Sequence, residues 1–118
     1  MDWTFRGDQP IYSQLVEQIT LGIVSGEYPP GAKLPSVRDL AMEAGVNPNT
    51  MQRALQELER EGLVFSQRTA GRFVAEDVQV IEEVKKALAK GQLENFLQAM
   101  KELGYDREGI IALLKEDE

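Results

Sequence analysis

Asn47, Pro48, Asn49, Thr50, Gln52 and Arg53 crowd one short stretch of the chain. Side-chain amides, a hydroxyl and a guanidinium suit the base edges and phosphate oxygens of a nucleic acid better than proton transfer or metal ligation. On a helix turning about 100° per residue, with Met51 inward, Asn49, Arg53, Gln56 and Arg60 face outward and Gln52 lies beside them. No acid occurs between Glu43 and Glu57, so phosphate approaching this face meets no repulsion. A solvated polar face on an ordinary helical hairpin is the competing account of the same residues.

Residues 34–62 supply the body that such a face needs. Ser36 and Asp39 have capping-box spacing, and Val37, Leu40, Ala41 and Ala44 form the inward side of a first helix. Gly45 stands where that helix must end. Asn47 is a preferred N-cap and Pro48 a preferred first residue for a second helix. Its inward stripe is Met51, Ala54, Leu55 and Leu58. Helix, short turn with Gly, helix is the helix-turn-helix pattern, whose second helix enters the major groove by its N-terminal end.

The flanking segments complete a small domain. Residues 1–9 read as an extended lead-in in which Trp3 and Phe5 alternate with Thr4 and Arg6, and Trp3 is expected in the core. A helix follows from about Pro10 to Ser25-Gly26, with Ile11, Leu15, Ile19 and Ile23 as its spine; Gly22 weakens it unless another backbone packs close. Pro30-Gly31 fits the centre of a type II turn, and Ala32-Lys33-Leu34 is short and extended. After Gly62, the run from Leu63 to Gln67 and the return from Arg72 to Ala75 form a β-hairpin with Arg68-Thr69-Ala70-Gly71 at its tip. A hairpin directly after the recognition helix is a wing, and Arg68 and Arg72 flank its tip within reach of phosphate or a minor groove.

The 118 residues suit one domain, or a small domain with an appendage. There is no Cys and no His, which removes disulfides, thiolate metal sites and the commonest general base. Glu57, Glu59 and Glu61 read as a solvated helix end, so no catalytic residue, metal or cofactor is expected. No long apolar run or signal-like N-terminus is present, which predicts a soluble cytoplasmic protein without membrane contact. The formal net charge is −7, yet residues 62–75 carry only the positive charges of Arg68 and Arg72. Residues 1–76 hold 7 Lys+Arg and 10 Asp+Glu, and the shorter stretch 77–118 holds 6 and 10. A basic face on an acidic body predicts weak non-specific binding and a need for accurate contacts or a dimer.

Residues 77–118 are amphipathic. Asp77 caps a helix with Val78, Ile81, Val84 and Leu88 apolar, expected to close at Lys90-Gly91. A second carries Leu93, Phe96, Leu97, Met100 and Leu103 and closes at Gly104; a third starts at Asp106 with Ile110, Leu113 and Leu114. So short a stretch cannot bury a good core alone, so these helices must pack on the winged-helix part or on a second copy. The expected division is residues 1–76 as a winged helix-turn-helix domain and 77–118 as a helical dimerisation tail, a mainly α fold with a small β-sheet. Val84, Leu88, Phe96, Leu97, Met100 and Leu103 are the candidate dimer contacts.

The run GEYPPGAKLPSVRDLAMEAGVNPNTMQRALQELEREGLVFSQRTAGRFV, preceded by PIYSQLVEQITLGIVSGEY, strongly resembles the DNA-binding domain of the GntR family of bacterial transcription regulators. The likeness spans about residues 9–75, with the L-P-S-x-R-x-L-A, G-V-N-x-x-T and E-x-E-G-L-V pieces in order. The short helical tail resembles that of the YtrA-type subfamily, which lacks a large effector domain. The resemblance implies a homodimer that represses transcription from a palindromic, inverted-repeat operator in double-stranded DNA. It places Arg38 early in the second helix as a DNA contact, Asn47, Pro48, Asn49, Thr50, Gln52 and Arg53 at the start of the recognition helix, and Arg68, Thr69, Ala70, Gly71 and Arg72 on the wing. Lys33 and Ser36, at the approach to Arg38, complete the candidate DNA contacts. The wing tip departs from the glycine-rich form of many members, and some members carry a basic residue where Gln52 stands. A small-molecule effector has room at a dimer interface, but nothing in the sequence names one. The rival readings are a winged helix that docks proteins, and the DNA-binding part of a larger regulator. Lys115-Glu116-Asp117-Glu118 reads as a natural terminus, against the latter.

Overall fold

A computed structural model describes residues 1–117; Glu118, the last residue of the acidic end, lies outside them. Helix α1 spans Ile11–Val24, α2 Val37–Ala44 and α3 Pro48–Arg60. Strands β1, Val64–Gln67, and β2, Gly71–Val74, form an antiparallel hairpin. Helices α4, Val78–Glu102, and α5, Arg107–Glu116, complete the described elements. No helix among the described residues is long and apolar enough to cross a membrane.

The chain divides into two compact units, Met1–Val84 and the part from Lys85 onward. In the first unit α3 packs against both α1 and α2. Leu15, Ile19 and Ile23 of α1, Leu40 and Ala41 of α2, and Met51, Ala54, Leu55 and Leu58 of α3 meet in one core. Leu34, Leu63, Val64, Val74 and Ile81 close it. Burying each Leu or Ile side chain contributes about 1.5–3 kcal/mol, and these stripes leave each helix only one rotation that buries them. Ile11, expected on the spine of α1, stays exposed at the helix's first residue.

The ends of the hairpin helices follow their capping chemistry. The Ser36 hydroxyl accepts from the Asp39 N–H at 3.1 Å, and Asn47 Oδ1 accepts from the Asn49 N–H at 2.7 Å. Gly45 ends α2 with φ 71°, a conformation costly for any residue with a Cβ. Gly22 has its own reason: a Cβ there would stand 3.0 Å from the Tyr28 ring. The Tyr28 N–H also donates to the Gly22 carbonyl at 3.0 Å, so both the ring and the backbone of Tyr28 lie close to this glycine.

Ala32 N–H donates to the Pro29 carbonyl at 3.0 Å, closing the turn at Pro30-Gly31. Residues 31–34 then run beside β2: Leu34 N–H donates to Arg72 O at 2.9 Å and Val74 N–H to Ala32 O at 2.8 Å. The extended segment before α2 is therefore hydrogen-bonded to the wing. The N-terminal lead-in is held by two glutamines of α1. Gln14, only 3% exposed, accepts from the Arg6 N–H and donates to the Arg6 carbonyl, each at 2.7 Å. Gln18 does the same at Thr4, at 3.3 and 2.7 Å. Trp3 and Phe5 pack against the core.

In the second unit the sequence expectation of two helices is corrected. Helix α4 runs without a break through Lys90 and Gly91 to Glu102. A lone glycine costs a helix interior only about 1 kcal/mol, and no proline or alternative cap follows it to stop the helix. Gly104, with φ 92°, is where the chain turns instead, and Asp106 caps α5 by accepting from the Gly109 N–H at 2.8 Å.

Candidate nucleic-acid interface

The first two turns of α3 carry Asn47 at the N-cap, Pro48 and Asn49 exposed, Thr50 and Gln52 half-buried, and Arg53 exposed. Burial of Met51, Ala54 and Leu55 turns these polar groups outward. Asn47 uses its side-chain carbonyl in the cap, and among the described residues its amide donors make no hydrogen bond. The Arg53 guanidinium lies 4.2 Å from the centroid of the Tyr12 ring of α1. Arg38 is exposed at the second residue of α2.

A second cluster forms between the start of α2 and the wing. Lys33, Ser36, Thr69, Gly71 and Arg72 line one open groove of about 750 Å³, which Asp39 also enters. Lys33 and Phe73 are bridge partners, so the Lys33 chain lies over the wing. Gly71 makes room for it: φ is 105°, and a Cβ there would meet Lys33 Cε at 3.2 Å. Arg38 and Arg68 do not line this groove; Arg68 stands exposed at the wing tip. The structure thus sorts the candidates into an α3 face, a groove cluster, and two separate exposed arginines.

Arg72 is not free at the wing. Its Nε donates to Glu59 Oε1 of α3 at 2.8 Å, and the Ser66 hydroxyl bonds the same carboxylate oxygen. Ser66 and Arg72 are cross-strand partners, and the two-residue period puts them on the same strand face as Val64 and Val74. Partial burial pushes the Glu59 carboxyl up, but the hydrogen bonds from Ser66 and Arg72 and the Arg72 charge outweigh it and hold it below its ordinary value. Glu59 is therefore a tie between recognition helix and wing, where the sequence suggested a solvated helix end. The register that makes Ser66 and Arg72 a cross-strand pair beside the Val64–Val74 pair comes from the structure, and the sequence did not name Glu59 as their partner. Glu61 differs from it: burial and the Glu57 charge raise its carboxyl. The Gln14 and Gln18 clamps were likewise not singled out from sequence.

Of the candidate dimer contacts, Leu88, Phe96, Leu97 and Leu103 are exposed and Met100 is half-buried. Val84 differs, being half-buried against the core of the first unit. Ile110 of α5 is buried, while Ile111, Leu113 and Leu114 are exposed.

A capped helix-turn-helix followed by a wing hydrogen-bonded to it defines the winged helix-turn-helix class. Residues 11–74 match the model of bacterial regulatory proteins of the gntR family, and the chain belongs to that family. It is 44% identical over 115 residues to the HTH-type transcriptional regulator YhcF of Bacillus subtilis, covering 98% of this chain and 95% of that one. It is 36% identical over 112 residues to the HTH-type transcriptional repressor YtrA of the same organism, covering 94% and 86%. A GntR family transcriptional regulator from Listeria monocytogenes superposes with a TM-score of 0.89 at 43% identity, covering 95% of this chain and 98% of that one. The DNA-binding domain of AraR in complex with operator ORX1 superposes with a TM-score of 0.59 at 31% identity, covering 64% and 96%.

Proposed function

We propose that the protein represses transcription in the cytoplasm by binding an inverted-repeat operator as a homodimer. The observation that carries the reading is the acid-free polar start of α3, turned outward by its buried stripe and backed by a tied wing. Residues 1–76 read DNA and residues 77–118 pair two copies. Asn49, Gln52 and Arg53 meet base edges in the major groove, with Asn or Gln suited to adenine and Arg to guanine. Asn47, Pro48 and Thr50 border the same entry. Arg38, Lys33 and Ser36 approach the backbone at the start of α2, and Arg68, Thr69 and Gly71 bring the wing tip to phosphate or minor groove. Arg72 aligns the wing through Glu59. Two-fold pairing of identical readers makes the operator palindromic. The exposed Leu88, Phe96, Leu97 and Leu103 are the apolar surface for that pairing.

Selection of bound duplexes from a random pool tests the reading. The expected product is a palindrome, and recovery of unrelated sequences would sink it. Arg53→Ala is expected to lose about 1–3 kcal/mol of affinity for the selected duplex, read by gel shift. Phe96→Glu is expected to shift the protein from dimer to monomer in sedimentation equilibrium; an unchanged dimer would remove Phe96 from the interface.

A further inference from the structure

Tyr12 and Arg53 belong to different helices, yet the guanidinium carbon stands 4.2 Å from the ring centroid. That is well inside the roughly 6 Å range of a cation–π contact. Arg53 is exposed, and among the described residues no carboxylate is ion-paired with it. Tyr12 is half-buried and packs on the core, so its ring is held from beneath. An unpaired arginine on a helix surface samples many rotamers, and that freedom is lost when a ligand fixes it. A ring under the guanidinium face removes part of the freedom beforehand. It leaves the donors on the guanidinium rim available for bidentate contact.

We infer that Tyr12 is a positioning residue for DNA recognition: its ring holds the Arg53 guanidinium in the orientation that meets a guanine edge. The inference rests on the reading of α3 as the recognition helix. It brings α1 into recognition through Tyr12, which sets the aim of Arg53.

The test uses the full chain and a duplex selected from random DNA. Tyr12→Phe keeps the ring, and Tyr12→Leu keeps apolar packing without it. Affinity is expected to stay within about twofold of wild type in Tyr12→Phe and to fall about two- to fivefold in Tyr12→Leu. Binding to random duplex is expected to be unchanged in both, and Tyr12→Leu is expected to add no loss to an Arg53→Ala protein. Without DNA, the side-chain proton resonances of Arg53 are expected to lose their ring-current shift in Tyr12→Leu. If Tyr12→Leu lowers thermal stability, the Arg53→Ala background still decides: a general packing defect weakens that protein further, and a positioning defect does not. Equal losses in Tyr12→Phe and Tyr12→Leu would overturn the inference by moving the role to the hydroxyl. Additive losses with Arg53→Ala, or tighter binding by Tyr12→Leu, would also overturn it. A pool that yields no preferred duplex sinks the recognition reading and this inference with it. A preferred duplex bound equally well by Tyr12→Leu sinks the inference alone.

Discussion

Glu59→Ala tests whether the wing is aimed by α3 or merely lies beside it. The substitution removes the acceptor for Ser66 Oγ and for Arg72 Nε in one step. The side chains are 29% exposed for Glu59 and 17% for Arg72, so the pair lies between surface and interior. An exposed pair contributes about 0–1 kcal/mol, and a hydrogen bond to a charged group about 1.5–3 kcal/mol. Partial exposure sets the expected loss near 1–2 kcal/mol. For a domain of this size each kcal/mol moves Tm by roughly 4–8 °C. Thermal unfolding followed by circular dichroism measures it, and a double-mutant cycle with Arg72→Ala isolates the pair at about 1 kcal/mol of coupling. The pH dependence supplies an independent check. The folded Glu59 carboxyl is held below its ordinary value of 4.5, so its stabilisation is complete above that value and fades as pH falls through the lower folded value. The stability gap between wild type and Glu59→Gln is therefore expected to close on acidification below 4.5. Glu61 titrates in the opposite sense, but it is present in both proteins and cancels from the gap. Zero coupling in the cycle, or a gap that persists far below 4.5, would refute the tie.

Two further stability predictions follow from burial and backbone. Leu55→Ala empties a site that is 1% exposed at the centre of the first unit; it is expected to cost about 2–5 kcal/mol, read as a lower urea midpoint with unchanged slope. Gly91→Ala is expected to raise stability by about 0.5–1 kcal/mol, because Gly91 is inside α4 with nothing within 4 Å of its added Cβ; a fall in Tm would contradict a continuous helix there.

The sequence by itself determined the body of the first unit. Stripes such as Met51, Ala54, Leu55 and Leu58 define a buried helix face because the helical period allows only one rotation that hides them. Ser36, Gly45 and Asn47-Pro48 mark the hairpin's ends because each satisfies or terminates a local backbone pattern within a few residues. The polar face of α3 was legible for the same reason, being the remainder of a local period. Continuity of α4 through Gly91 was not legible, since a glycine's modest helix cost decides nothing without its surroundings. Long-range pairings belonged to the tertiary structure alone. Glu59 finds Ser66 and Arg72, Gln14 and Gln18 hold Arg6 and Thr4, Lys33 lies over Gly71, and Arg53 stacks on Tyr12. Each joins side chains from separate elements, and no local periodicity encodes which exposed polar group will meet which. The helical pattern located the reading face; packing decided which residues aim it.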